Sequence, residues 1–537
     1  RDSNCQSKTR GKRIQSAASS FHICDTLAQD IVKSFGPMAN PEQSSAEFIT
    51  TRNVAILGCA SVITCGLKAM IKWMFQPKLE KHERFVQVPG LPFFGVWFQL
   101  GPGHVNFYAK LKEFGPKFGH EGAYEMTIFG KRVIVLCSME ARLQFASYSP
   151  KHIDKHDLFS QSEFTGGCGF SNGQTWARER RFLAPHLSLQ AVRNVFPNIQ
   201  HLTQQLAAAV AKEQRERGTV NFTKLFISYS IDVLGIVALG VNFNMLETGQ
   251  PHPMYEQMRK MWSATVYRAI SPFPFWKIPF FGNIDGYQTA AANFLEYFAN
   301  TNDDEKVETS AFGEKLRHAL ATSKVNSHEA LDYVKTLEFA GHHPPATLLM
   351  FAFYHLAKMP ELQKVVAEEL MALPAGIGLE EDQVNSLVWT RALYLECLRM
   401  HMHVFSEYRT LCELNILGRR VPAGTSIFTD MFSLVTHHYN KTSEVGTDLT
   451  AFRPSRWVAP DGSPVHSPDF ETVEFGFGAR RCPGIPLTSS YVPLAIATLL
   501  QRFELEAWTG PQLTQKWPAD YPSTDVVIGV KLRAGTP

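Results

Sequence analysis

Residues 475–484 read Phe-Gly-Phe-Gly-Ala-Arg-Arg-Cys-Pro-Gly, and this segment limits what the 537-residue chain can be more than any other. It places Cys482 among three glycines and two arginines. A cysteine sulfur ligates as a thiolate where positive charge and backbone N–H groups surround it, and glycines let the backbone close around it. A helix is predicted from about Ile485 onward, so the positive end of its dipole faces the sulfur. The segment predicts a thiolate ligand; the alternative is a buried cysteine in a glycine-rich turn.

A second segment combines an indole with a guanidinium. Residues 176–180 read Trp-Ala-Arg-Glu-Arg, in a helix predicted after Gly173. Trp176 and Arg180 are four residues apart, so they share one helix face, and the N–H groups of both can bind a carboxylate. The neighbouring Arg178 and Arg181 leave a solvated basic face as the alternative.

A third pattern lies in a helix predicted over residues 389–400, which has no interior Gly or Pro. Glu396 and Arg399 are three residues apart and can bridge on one face. Taken alone, this pair is typical of a solvated surface. Downstream, residues 452–457 read Phe-Arg-Pro-Ser-Arg-Trp, which adds a second arginine, Arg456.

Together these segments resemble the cytochrome P450 family, whose haem-thiolate loop reads Phe-x-x-Gly-x-Arg-x-Cys-x-Gly. The resemblance covers about residues 88–506. It implies a mainly α fold, with a large helical domain, a small β portion and an N-terminal membrane anchor. Two strand-like segments are expected over residues 123–135, and a long central helix near residues 331–357.

The resemblance also implies the cofactor and the residues around it. The cofactor is haem b, iron protoporphyrin IX, with Cys482 as its axial thiolate. The other cofactor-binding residues implied are Trp176, Arg180, Arg409, Phe475, Gly478, Arg480 and Gly484. Glu396, Arg399 and Arg456 are expected to form a buried triad beneath the haem, because a buried charge needs full pairing.

The central helix departs from the family's oxygen-activation pattern, Ala/Gly-Gly-x-Asp/Glu-Thr. Residues 340–347 read Ala-Gly-His-His-Pro-Pro-Ala-Thr. Ala340 and Gly341 match, which leaves room for dioxygen. His343 stands where the family has the acid, and Pro344 where it has the Thr.

Proline lacks an N–H and clashes with the carbonyl four residues back, so Pro344 is expected to open the helix near Ala340. His343 can carry protons near neutral pH, and Thr347 lies about one turn onward. These residues predict a proton relay through His343 and Thr347. The alternative is that the histidines are polar residues beside a kink.

The function implied is a monooxygenase that uses dioxygen and electrons from a separate NADPH-dependent cytochrome P450 reductase, with cytochrome b5 as a further donor. The runner-up is a dioxygen-independent isomerase or dehydratase of fatty-acid hydroperoxides with the same fold. The missing acid–Thr pair favours the runner-up, and the spacing of the Cys482 loop opposes it. A haem sensor or carrier is a third class. A formal charge of +3 and no basic–aromatic interleaving argue against nucleic-acid binding.

The N-terminal part predicts attachment to a membrane. Residues 1–52 form a polar extension, residues 53–75 a transmembrane anchor and residues 88–537 the catalytic domain. The basic C-terminal flank of the anchor favours a cytosolic catalytic domain. Acidic residues in the extension favour the endoplasmic-reticulum membrane over the alternative, a mitochondrial membrane, because transit peptides are poor in acids. For the anchor itself, the alternative is a helix that lies on the membrane surface or packs on the domain. The substrate is expected to be a lipophilic small molecule, with a sterol or other isoprenoid favoured, that enters past the aromatic residues 271–281.

Overall fold

The structure is a computed structural model that describes most of the catalytic domain. The described residues are 70, 74, 80–100, 107–155, 167–270, 275–277, 283–300, 311–373, 378–401, 407–434, 448–465, 474–476, 478–516 and 521–533. The chain divides into two units, residues 1–64 and 65–537, and every described residue lies in the second. The predicted extension lies outside the described residues, as does the predicted anchor apart from Met70 and Met74, both exposed.

Helices dominate the described residues, which confirms the predicted mainly α class. They are α1 Trp97–Leu100, α2 Phe107–Phe118, α3 Met139–Ser147, α4 Gly173–Leu183, α5 Leu189–Arg217, α6 Phe222–Leu234, α7 Met245–Thr248, α8 Pro253–Ile270, α9 Tyr287–Ala299, α10 Ala311–Ala321, α11 Ser327–Gly341, α12 His343–Lys358, α13 Pro360–Met371, α14 Glu381–Ser386, α15 Val388–His401 and α16 Ile485–Arg502. The helices predicted after Gly173, over residues 389–400 and from Ile485 correspond to α4, α15 and α16.

The β portion is small. Its strands are β1 Val86–Gln87, β2 Ala123–Ile128, β3 Lys131–Leu136, β4 Ile153–Lys155, β5 Thr219–Asn221, β6 Glu407–Thr410, β7 Leu414–Ile416, β8 Arg419–Val421, β9 Ser426–Thr429, β10 Phe503–Leu505, β11 Gln515–Lys516, β12 Tyr521–Pro522 and β13 Val527–Leu532. The largest sheet has the order β1-β2-β3-β9-β6-β4. Its antiparallel pair β2–β3 turns at Phe129 and Gly130, both at positive φ, and corresponds to the strands predicted over residues 123–135.

The core is built around helices that are apolar on nearly every side. Among the described residues, one helical stretch, Phe222–Leu239, is long and apolar enough to cross a membrane, with a mean hydropathy of 1.6. However, 83% of it is buried inside the domain. The rings of Phe222 and Phe226 lie 4.7 and 4.9 Å from that of Phe353 in α12. This stretch therefore has the surroundings of a core helix.

The predicted central helix is two helices that meet at His342. α11 ends at Gly341, α12 begins at His343, and His342 between them has φ −121° and ψ −40°. Pro344 and Pro345 occupy the first turn of α12, where the N–H that proline lacks has no helical partner in any case. The expected opening at Pro344 is therefore a full break, two residues beyond Ala340.

The carboxylate of Glu396 joins α15 to the segment that follows β9. It accepts hydrogen bonds from Arg399 Nη2 at 2.7 Å, from Arg456 Nε at 3.0 Å and from Trp457 Nε1 at 2.9 Å. The remaining guanidinium N–H groups reach backbone carbonyls of residues 448–451. All three members of the predicted triad are buried, so the charges lie inside the protein and compensate one another.

We expect Glu396→Gln to destabilise the fold strongly. The change leaves two buried guanidiniums without an anion, which costs about 3–5 kcal/mol when a buried pair is broken. The exposed pair Lys364–Glu368 offers a matched control, because Glu368→Gln at an exposed site costs about 1 kcal/mol or less. Urea unfolding of both variants measures the difference. Equal losses of unfolding free energy would contradict the structural importance of Glu396.

Candidate active site

The Cys482 loop closes on itself at the start of α16. Cys482 N donates to Phe475 O at 2.8 Å, and Gly484 N donates to the Cys482 sulfur at 3.3 Å. Gly476 and Gly478 have φ of +80° and +59°, a region that favours glycine. Gly484 has φ −84°, so its backbone conformation does not itself require glycine.

The sulfur lies in a mixed electrostatic environment. Burial raises the pKa of the Cys482 thiol, whereas the Gly484 N–H and the nearby charges of Arg180 and Arg481 act in the opposite direction. Gly484 is also the residue that precedes α16, so the sulfur lies at the positive end of this helix. The loop therefore stabilises an anionic sulfur in part, and a bound cation would complete that stabilisation.

Trp176 and Arg480 form a stacked pair next to the loop. The Arg480 guanidinium lies 4.2 Å from the Trp176 ring centroid. It donates to Ser171 O at 2.9 Å and to Asn172 Oδ1 at 3.1 Å. Burial lowers the pKa of Arg480 to about 10. The pair is thus a half-buried cation held over an aromatic face by hydrogen bonds to the residues just before α4.

Arg180 ties α4 to the same loop, because its Nη2 donates to Arg481 O at 2.7 Å. Arg409 lies on β6, directly opposite Asp154 of β4. Lys155 of β4 bonds through its backbone N–H and C=O to the side chain of Asn172, which also accepts from Arg480, so β4 and its partner β6 lie beside Arg480. The structure therefore brings Trp176, Arg180 and Arg480 together with Cys482, and places Arg409 on the adjoining strand.

This cluster fits a planar cofactor with two carboxylates. Within the part of the chain that the structure describes, the buried Trp176 Nε1 has no hydrogen-bond acceptor, and neither Arg180 nor Arg480 pairs with a carboxylate. A buried unsatisfied donor is costly, so a ligand oxygen at this point would be stabilising. The propionates of a haem are such ligands, and Cys482 supplies the sulfur expected beside them.

The residues around the helix break are the second group of predicted site residues. Ala340 is exposed, and Gly341 packs so closely on α6 that a methyl group there would lie 2.6 Å from Leu234 Cδ1. Thr347 is fully buried, and its hydroxyl has no hydrogen-bond partner among the described residues. Small residues at 340 and 341 therefore keep the backbone of α11 accessible and close to its neighbour.

His343 lies beside an acid that sequence reasoning missed. Its Nε2 is 3.9 Å from Oε1 of Glu338, a buried residue of α11. Burial raises the pKa of Glu338 well above its usual range and lowers that of His343 well below it. The signal available in the sequence was the spacing of Glu338, which lies four residues before His342 and therefore on the same helix face.

The expected aromatic entrance is described only at Phe275–Lys277. There Trp276 is buried, and its ring lies 5.4 Å from the Arg268 guanidinium, which pairs with Asp285. Trp276 therefore packs inside the domain; residues 271–274 and 278–281 lie outside the described part.

Known proteins with similar sequences are cytochromes. A family model described as Cytochrome P450 matches residues 86–528. Protein LUTEIN DEFICIENT 5, chloroplastic, of Arabidopsis thaliana is 25% identical over 75% of this chain and 70% of its own length. Putative cytochrome P450 CYP13A7 of Caenorhabditis elegans is 23% identical over 83% of this chain and 93% of its own. Cytochrome P450 3A5 of Homo sapiens is 24% identical over 71% of this chain and 80% of its own.

Proposed function

Because the chain belongs to the cytochrome P450 family, whose members are monooxygenases that bind haem through a cysteine thiolate, we propose that it hydroxylates a lipophilic substrate with dioxygen. One oxygen atom enters a C–H bond, and the other leaves as water with two electrons and two protons. The observation that carries this proposal is the Cys482 loop closed at the start of α16, next to the Trp176–Arg480 pair.

Cys482 is the residue proposed to hold the haem iron through its sulfur, and a haem held in this way would supply the activation of dioxygen, since a thiolate ligand favours O–O cleavage. Trp176, Arg180, Arg409 and Arg480 are the proposed partners of the two propionates. Phe475 packs against the large apolar core at the base of the loop, which fixes the position of the sulfur. Ala340 and Gly341 are the residues proposed to leave space for dioxygen; of the two, Ala340 is exposed, whereas the room beside Gly341 is occupied by Leu234 of α6.

Protons reach this space through His343 in our proposal. The neutral imidazole that burial favours can accept a proton at one ring nitrogen and release one from the other. Glu338, 3.9 Å away, supplies the acid that the sequence pattern lacks, because its raised pKa keeps a proton on the carboxyl. Thr347, one turn onward on α12, offers a buried hydroxyl.

The electron donor proposed is an NADPH-dependent cytochrome P450 reductase, with cytochrome b5 as a further donor. Basic side chains of α4 suit an acidic partner surface. Arg178 and Arg181 are exposed and line one surface cavity with Lys315 and Lys324. Arg178 also pairs with Glu329 at 2.6 Å, so less of its positive charge is available to a partner protein than that of Arg181.

The proposed substrate is a sterol or other isoprenoid, and the proposed location is the endoplasmic-reticulum membrane, with a mitochondrial membrane as the alternative. The apolar residues 53–75 support a membrane anchor, and the lysines that follow support a catalytic domain on the cytosolic side. The name of the Arabidopsis relative refers to lutein, which is an isoprenoid pigment. The runner-up function, conversion of a fatty-acid hydroperoxide, is favoured by the absence of the usual acid–Thr pair.

We expect Cys482→Ala to abolish the Soret band diagnostic of thiolate ligation in the reduced, carbon-monoxide-bound protein. Cys168→Ala is the matched control. Cys168 is buried close enough to the site for Cys482 and Arg480 to affect its pKa, and its loss should leave the band unchanged. Retention of the band in Cys482→Ala would refute the proposed ligand.

Trp176→Phe should weaken haem binding while it leaves an aromatic ring beneath Arg480. It deletes the indole N–H and keeps a smaller aromatic ring, and a hydrogen bond to a charged group contributes about 1.5–3 kcal/mol, equivalent to roughly tenfold or more in haem affinity. Transfer of haem to apomyoglobin measures the change. Trp508→Phe, at an indole that donates to Pro511 O, is the control. Equal transfer rates in the two variants would count against the propionate contact.

Turnover should require the reductase and NADPH. A panel of sterols, other isoprenoids and fatty acids is tested with reductase and NADPH, and separately with a lipid hydroperoxide alone. We expect oxygenated product only in the first arm, because the loop retains the spacing of reductase-coupled members. Product confined to the hydroperoxide arm would establish the runner-up function instead.

A further inference from the structure

Three side chains at the helix break could hold a metal ion. One ligand atom from each of Glu338, His342 and His343 lies within 4.8 Å of the other two. In an unbroken helix, adjacent residues point about 100° apart. Here the non-helical backbone at His342 brings the two imidazole centroids to 3.8 Å. The break therefore brings two histidines and a carboxylate together.

The hydrogen bonding of His342 leaves one nitrogen available. Its Nδ1 interacts with the backbone carbonyl of Glu338, so this nitrogen carries the proton and Nε2 keeps a free lone pair. His342 is fully buried, and its Nε2 has no hydrogen-bond partner in the described residues. Histidines that bind metals are usually oriented by such a second-nitrogen bond to a carbonyl.

Glu338 provides the negative charge for a cation. It is 2% exposed, and in the described part of the chain its only ion-pair partner is His343. Aromatic rings surround the cluster, with Tyr255 5.9 Å from His342 and Trp262 6.5 Å from His343. A carboxylate in apolar surroundings is stabilised when a cation pairs with it.

We propose that Glu338, His342 and His343 bind one divalent transition-metal ion, in a His₂Glu site of the kind that Zn²⁺ occupies in proteins. Zinc bonds to nitrogen and oxygen are about 2.0–2.2 Å long, so tetrahedral ligand atoms lie roughly 3.4 Å apart. Side-chain movements of about 1 Å bring the observed set to that spacing. The side chain of His343 is 12% exposed, which leaves the ion a route to the cluster.

A bound metal ion and a relayed proton cannot occupy His343 at the same time. Binding of the cation displaces the Glu338 proton and uses the lone pair on which a relay depends. Zinc is therefore expected to slow NADPH-dependent turnover, a consequence that rests on the proposed function. The site itself does not rest on it, because metal binding is measured without turnover.

The test uses the haem-loaded full chain, stripped with a chelator, desalted and titrated with Zn²⁺ against a chromophoric zinc chelator. We expect one tight zinc per chain. Loss of an outer partner of a metal ligand already weakens binding about 10–100-fold, so Glu338→Gln, His342→Gln and His343→Gln should each weaken it at least tenfold. The control is the double variant His437→Gln and His438→Gln, at the other pair of adjacent histidines in the sequence. It should bind zinc as the parent does.

Two further measurements separate loss of the metal site from loss of the haem or the fold. The carbon-monoxide Soret band confirms that each variant keeps its haem and its fold. X-ray absorption at the zinc edge of the parent should show nitrogen and oxygen ligands with two imidazoles and no sulfur, and this needs no variant. No retained zinc, a sulfur ligand, or unchanged affinity in the three variants overturns the site. Zinc that binds without slowing turnover leaves the site in place and removes His343 from the proton relay.

Discussion

A single buried carboxylate organises the centre of this domain. Glu396 accepts hydrogen bonds from two arginines and from Trp457, and it thereby fixes residues 448–457 against α15. Charges buried together compensate one another only when each finds its partners, so the cluster tolerates little displacement. α15 and α16 also pack in one core, and α16 begins immediately after the Cys482 loop. The position of the sulfur thus depends on an interaction formed by residues that do not touch it.

The break between α11 and α12 is the second constraint. Prolines end one helix and begin the next, which turns His342 inward and places His343 near Glu338. The family's acid–Thr pair falls at positions 343 and 344, where this chain has His and Pro. The groups proposed for proton transfer lie at the end of one helix and in the first turn of the next, and one of them, Glu338, lies outside the family pattern.

Local patterns allowed much of the fold to be predicted. The helices around Trp176, Glu396 and the residues after Cys482, and the strands at residues 123–135, follow from periodicity, turn residues and absence of breakers within short windows. Glu338 was missed because its importance depends on where the backbone leaves helical geometry, which residues distant in sequence help to decide. The contact of Arg480 with Trp176 could be expected only from family resemblance. Residues 1–52 and most of 53–75 remain predictions, since they lie outside the described part of the chain.

The contacts between α4 and the Cys482 loop have a consequence for biogenesis. Arg180 bonds to Arg481, and Arg480 to Ser171 and Asn172, across separations of 301, 309 and 308 residues. Contacts so remote in sequence form late, because a long stretch of chain must be ordered before they close. During synthesis α4 leaves the ribosome long before the sulfur loop is made. Incorporation of the porphyrin therefore belongs to a late stage of maturation, after the segment that carries Cys482 has left the ribosome.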